Sequence, residues 1–120
     1  MTERPSDPEV WTALHAICDT LPDVTHKRSH GETAWFVGTG RNARQFATTW
    51  DHHHDDRNAV LMAAAPGAQQ RLIADDPRRF FRPPYVGSKG WIGIYLDTGD
   101  TDWDLVELYL TDAHALLAAR

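Results

Sequence analysis

Three histidines followed by two aspartates, residues 52–56, are the side chains in this sequence best suited to bind a metal ion. If the chain is extended there, His52, His54 and Asp56 lie on one face of a strand, because side chains alternate in direction. Imidazoles and carboxylates are common ligands of zinc and related ions. No H-E-x-x-H helix and no cysteine–histidine set accompanies them. Hydrogen-bonded or solvated histidines at a strand end are therefore the alternative.

Aromatic, basic and histidine residues between positions 35 and 91 could line a cleft for a small anionic ligand. Arginines bind carboxylate or phosphate groups in a bidentate manner, and aromatic rings stack on planar ligands. The same rings could instead fill the hydrophobic core, which is the commoner place for a large aromatic side chain. The residues assigned to this pocket are Trp35, His52, His54, Arg57, Arg82, Tyr85 and Trp91.

No residue pattern amounts to a catalytic signature. Gly38-x-Gly40 is too short for a phosphate-binding loop, and no helix is expected after it. Ser29-His30 and Ser88 lack an identifiable base and orienting acid. Cys18 falls on an apolar helical stripe, which is typical of an inert buried thiol. The sequence therefore favours a non-enzymatic binding module and predicts no cofactor.

Charge is distributed unevenly along the 120 residues, whose net charge is −5. Residues 1–23 carry −4 and residues 97–120 carry −5, whereas residues 24–96 carry +4. A phosphate group responds to the local potential, so the central region could bind nucleic acid. The acidic total argues that any such binding is weak and sensitive to salt.

The size and composition of the chain fit one domain, residues 1–120, with flexible residues 1–6. The single cysteine excludes an intramolecular disulfide and suits a reducing compartment. The first residues lack the basic and apolar parts of a signal peptide, and no apolar run is long enough to cross a membrane. We expect a cytoplasmic protein with no membrane partner. Its oligomeric state is not encoded in any pattern.

Periodicity and turn residues predict an α+β fold in the order α-ββββ-α-β-α. Apolar residues at helical spacing indicate a first helix that Pro22 ends and a last helix that starts near Trp103. A helix of about ten residues, a usual length, follows Pro66-Gly67. Segments rich in β-branched and aromatic residues, separated by short turns, predict an antiparallel sheet of about five strands against the terminal helices. The predicted strands are 24–28, 32–37, 44–50, 59–64 and 91–96.

This order, together with several short motifs, resembles the MmcQ/YjbR family over roughly residues 7–118. The resemblance implies a YjbR/CyaY-like domain and a "double wing", in which hairpins are offered to DNA. The motifs that carry the resemblance are Ser29-His30-Gly31-Glu32 with Trp35-Phe36-Val37, Pro83-Pro84-Tyr85-Val86-Gly87 with Trp91, and Asp102-Trp103-Asp104.

On this sequence the wings would fall at the turns near 28–32 and 38–44. Exposed turns of this kind can place arginine and lysine against phosphates. Basic residues at a sheet edge also discourage edge-to-edge pairing, which is the structural alternative. A protein-interaction domain that has neither wings nor pocket is a further alternative. The residues assigned to the wings are Lys27, Arg28, His30, Arg41, Asn42 and Arg44.

Overall fold

Six antiparallel strands form one sheet in the computed structural model, which describes residues 7–52 and 56–119. Their order across the sheet is β1-β2-β3-β4-β6-β5. Residues 1–6, expected to be flexible, lie outside the described residues. The strands are β1 (Val24–Ser29), β2 (Glu32–Val37), β3 (Arg44–Asp51), β4 (Asn58–Met62), β5 (Phe80–Phe81) and β6 (Ile92–Tyr95).

Three α-helices accompany the sheet, so the predicted α+β class is confirmed. They are α1 (Asp7–Cys18), α2 (Ala68–Asp75) and α3 (Trp103–Ala118), and short 3-10 helices span 40–42 and 86–89. The carboxylate of Asp102 accepts a hydrogen bond from the Leu105 N–H at 3.1 Å, which caps the start of α3. None of the helices in the described part of the chain is long and apolar enough to span a membrane.

The predicted number of strands was too low by one. The observed order is α-ββββ-α-ββ-α, because the two residues of β5 pair with β6 at the edge of the sheet. Two residues are too few to show an alternating pattern in the sequence. Contact with Gly93 is what holds this strand, since a Cβ there would lie 2.3 Å from the Phe81 ring. Only glycine lets the ring pack so close to β6.

The two faces of the sheet differ in what covers them. On one face Trp35 and Phe46 are fully buried under the helices, where Trp35 meets His15 of α1 and Phe46 meets His114 of α3. The opposite face carries a row of directly paired residues that runs Lys27, Ala34, Thr48, Leu61, Gly93 and Phe81 across the strands. Paired residues share a face. This second face is not covered by α1 or α3, and we call it the open face.

Candidate nucleic-acid interface

A groove of about 500 Å³ lies on the open face, between β1 and the loop of residues 84–86. Its floor is mostly apolar and contains the buried residues Ala34, Trp50 and Leu61, with Thr48 between Ala34 and Leu61, and Glu32 also lines the groove. Lys27 stands on the β1 side of the groove, and Tyr85 stands on the other. An apolar floor with a cation on one rim and an aromatic ring on the other suits a planar, negatively charged ligand.

A second depression of about 350 Å³ continues the groove toward the loop between β2 and β3. The two hollows share Lys27 and Phe36, and the second also contacts Gly40 and Ala43. The Lys27 ammonium lies 5.1 Å from the centre of the Phe36 ring, a cation–π distance. Together the hollows form a trough along β1 and β2. Six residues of β2 span roughly 20 Å, which sets the scale of its length.

Tyr85 has an unusual backbone for an exposed aromatic residue. Its side chain is 82% exposed, while its φ of 65° and ψ of −68° belong to a strained γ-turn. The Val86 N–H closes this turn on the Pro84 carbonyl at 2.7 Å. Buried Gln69 fixes the following residues by donating to the carbonyls of Gly87 and Trp91 at 2.8 and 2.7 Å. The ring is therefore held over the groove by a well-anchored loop.

The cations at the sheet edge formed by β1 and the loop between β2 and β3 differ from those elsewhere in the kind of partner they have. Arg28 donates to neutral oxygens, the Thr33 hydroxyl at 3.2 Å and the Gly31 carbonyl at 3.0 Å. No ion pair between described residues involves Lys27, Arg28 or Arg41, whereas Arg57, Arg78 and Arg79 are all paired with aspartates. The positive charge of this sheet edge is thus left available to an anion.

The six predicted wing residues fall into two groups at opposite ends of β2. Lys27 and His30 line the groove, whereas Arg28, the next residue along β1 after Lys27, points to the helix-covered face, where it lines a small hollow with Trp11 and His15. Arg41 and Asn42 lie in the 3-10 helix 40–42, and Arg44 begins β3. All six are exposed. The trough reaches Gly40 and Ala43, which lie next to Arg41 and Asn42 in the chain, and binding of DNA by either group stays a prediction.

Arg57, assigned to the pocket, is committed to a structural ion pair. Its Nε and Nη2 lie 3.0 and 2.9 Å from Oδ1 of Asp97, and Asp97 Oδ2 also accepts from the Asn58 N–H at 2.8 Å. The guanidinium covers the Tyr95 ring at 3.7 Å, and that ring stacks on Phe81. This cation is held by buried Asp97 and is already partnered.

The other residues assigned to the pocket are not gathered in one place. Trp35 lies on the helix-covered face, where its indole N–H donates to Asp19 at 3.0 Å. Trp91 is buried at the start of β6, and Arg82 is exposed next to Gly87. Among the assigned pocket residues that the structure describes, only Tyr85 lines the groove.

The predicted metal ligands are described only in part. His52 Nδ1 and Asp56 Oδ1 lie 2.6 Å apart, so these two side chains do meet. His54 lies outside the described residues, and a site formed by all three stays a prediction.

Sequence reasoning missed the floor of the groove, because alternation in β2 and β3 does not reveal which residues pair across strands.

A separate cavity of about 380 Å³ lies between α2 and α3. Alanine and leucine side chains form most of its wall, and its charged residues are Arg71 and Asp112, which have opposite signs. It lacks the convergent polar groups of a specific ligand site.

Burial raises the pKa of the Cys18 thiol, and the nearby charge of Asp19 adds to the effect. This cysteine is therefore not a nucleophile at neutral pH.

These features define an α+β domain with one helix-covered and one open sheet face. The chain belongs to the YjbR family, whose model matches residues 19–116. It is similar to the crystal structure of the Deinococcus radiodurans protein DR2400, which is assigned to the domain family DUF419. The TM-score is 0.74 at 20% identity, over 88% of this chain and 75% of that chain. This likeness supports the fold alone. No curated protein matches the chain significantly.

Proposed function

We propose that the chain is a nucleic-acid-binding module that takes up single-stranded DNA or RNA across the open face. In this proposal a base stacks on Tyr85 over the groove, and the basic residues of the wings bind the phosphates. The observation that carries the proposal is the exposed Tyr85 ring, held in a strained turn above an apolar groove.

The strain at Tyr85 supports a functional role for this ring. A non-glycine residue in such a conformation costs on the order of 1–3 kcal/mol. Burial contributes little against that cost, because the ring is 82% exposed. Stacking on a base does offer compensation, since each base–aromatic contact contributes about 1–3 kcal/mol.

Charge supports the same surface. The segment 24–49 holds four lysine or arginine residues against one acidic residue, Glu32. Lys27 belongs to both hollows of the trough, so a phosphate beside it would be close to a base in either one. Single strands expose their base faces and bind sheets that combine basic and aromatic residues, whereas a duplex hides those faces. This reasoning favours a single strand over the duplex that the wings alone would suit.

A pocket for a small anionic ligand is the competing proposal on the same surface. It would keep Tyr85 and the groove, but Arg57 would have to leave Asp97 to take part. A protein-interaction domain would need neither the trough nor its cations. Competition by a free mononucleotide distinguishes the small-ligand pocket from binding of a strand. A mononucleotide should compete poorly with a strand, because a strand also engages the cations of the wings.

Reversing two charges beside the trough should weaken binding of single-stranded DNA. In Lys27→Glu/Arg41→Glu we expect a loss of at least about tenfold in affinity at low salt, because two phosphate contacts become repulsive. The slope of log affinity against log salt should fall by about 1.4, since each phosphate contact with a single strand contributes about 0.7. Fluorescence anisotropy of a labelled oligonucleotide over a salt series measures both quantities.

The matched control is Arg71→Glu/Arg78→Glu, which changes the net charge equally on residues of α2 and the turn after it. It should bind almost as the wild type does. Equal losses in both variants would mean that only net charge matters and would refute the proposed surface. Tighter binding of duplex than of single strand would instead favour the wings acting without the groove.

A further inference from the structure

His15, Asp19 and His26 form a cluster that sequence patterns did not single out. His15 Nδ1 lies 2.8 Å from Asp19 Oδ2, and His26 Nδ1 lies 3.2 Å from Asp19 Oδ1. The two imidazole rings meet edge to face with their centres 5.1 Å apart. One nitrogen or oxygen from each of the three side chains can be chosen so that all lie within 4.8 Å of one another.

We propose that His15, Asp19 and His26 form a binding site for a divalent transition-metal ion of the zinc type. Two imidazoles and one carboxylate are a common three-residue ligand set, and water completes the coordination when the site faces solvent. Each of the three side chains is between one third and one half exposed, so water can reach the ion. The inference does not depend on nucleic-acid binding.

The distances in the cluster are close to those that a bound ion needs. With metal–ligand bonds of about 2.0–2.1 Å, ligand atoms in a tetrahedral site lie roughly 3.3 Å apart. The nitrogen–oxygen distances of 2.8 and 3.2 Å involve different oxygens of Asp19, and one ligand atom from each side chain lies within 4.8 Å of the other two. Rotation of these partly exposed side chains would bring the three atoms to the separation that an ion requires. Each neutral imidazole can carry its proton on Nε2, which frees the Nδ1 lone pair for the metal.

Backbone structure and a buried side chain fix the cluster in place. His15 lies in the last turn of α1, and the Asp19 N–H continues that turn by donating to the His15 carbonyl at 3.0 Å. His26 is supplied by β1, next to Trp35 across the strand pair. The indole N–H of Trp35, which is fully buried, donates to Asp19 Oδ1 at 3.0 Å. Such a second hydrogen bond to a ligating carboxylate orients it toward the ion.

The same ligand set indicates which ions should not bind well. Mg²⁺ and Ca²⁺ prefer oxygen ligands, and this cluster offers one carboxylate. The cluster contains no cysteine, so the site has nitrogen and oxygen ligands only. An aspartate side chain is ordinarily ionised at neutral pH, so the Asp19 carboxylate is available as a ligand.

The test removes the histidines at 52–54 first, because His52 and His54 are themselves predicted metal ligands. In a His52→Ala/His53→Ala/His54→Ala background we expect one Zn²⁺ per chain, measured by competition with a chromophoric chelator. Adding His26→Ala should lower the Zn²⁺ affinity at least about tenfold, and Asp19→Asn should do the same. Adding His30→Ala, which removes an exposed histidine of the β1–β2 turn, is the matched control and should leave the affinity unchanged.

Circular dichroism of the metal-free variants checks that each one folds. His26 is an exposed strand residue, so His26→Ala keeps the test valid even if Asp19→Asn loses the Trp35 hydrogen bond and unfolds. The proposal is overturned if the background variant binds no Zn²⁺ at tens of micromolar. It is equally overturned if folded His26→Ala binds Zn²⁺ as tightly as the background, or if Mg²⁺ competes at equal concentration.

Discussion

Tyr85→Gly should make the protein more stable and, at the same time, a weaker binder of single-stranded nucleic acid. Glycine adopts the backbone conformation of this turn without strain, so the free energy of unfolding should rise by about 1 kcal/mol after the greater entropy of the unfolded chain is deducted. Loss of the ring removes one stacking contact, and affinity should fall by about 5- to 150-fold. Urea unfolding and fluorescence anisotropy measure the two effects separately.

Tyr85→Ala separates the ring from the backbone, because alanine keeps the strain and loses only the ring. It should reduce affinity as strongly as Tyr85→Gly does without the gain in stability. Leu108→Ala is the control, since Leu108 on α3 is the other large apolar side chain exposed in the described residues, at 57%. If Tyr85→Gly destabilises the protein and leaves binding intact, the ring has a structural role and the proposed function loses its main support.

Asp97→Ala should lower the free energy of unfolding by about 3 kcal/mol. The carboxylate is 3% exposed and binds the Arg57 guanidinium as well as the Asn58 N–H. Its removal leaves a partly buried cation and a buried N–H without this acceptor. Because the Arg57 side chain is 38% exposed, water recovers part of the loss, and the estimate stays below the upper end for buried pairs.

Urea unfolding followed by circular dichroism measures this loss as a lower midpoint at an unchanged m-value. Asp100→Ala is the matched control, because it removes a carboxylate that pairs with exposed Arg78. Such surface pairs contribute little. Equal midpoints for the two variants would show that the buried ion pair of Arg57 and Asp97 does not hold β4 to the end of β6.

The fold class could be predicted from local patterns, because the apolar periodicity and turn residues that indicate a helix or most strands lie within a short segment of sequence. The strands beginning at Val24, Glu32 and Arg44 start where turn residues place them. β5 could not be predicted, since its two residues become a strand only through contact with Gly93. A resemblance to known motifs led to the family, which the match over residues 19–116 confirms.

The candidate site was less accessible to sequence reasoning for a physical reason. Exposed basic residues of the wings can be recognised one at a time, and Tyr85 stands out within a Pro-Pro-Tyr loop. The floor of the groove joins Ala34, Trp50 and Leu61 from three strands, and their meeting depends on register. The His15, Asp19 and His26 cluster likewise joins a helix end to a strand, which no spacing rule connects.

A titration of ¹⁵N-labelled protein with a short single-stranded oligonucleotide at low salt, followed by amide NMR spectra, tests the central claim most directly. The account predicts shifts in β1, β2, the loop 38–44 and residues 84–86, with α2 and α3 unaffected. Shifts confined to α2 and α3, or no shifts at any oligonucleotide concentration, would contradict nucleic-acid binding by the open face.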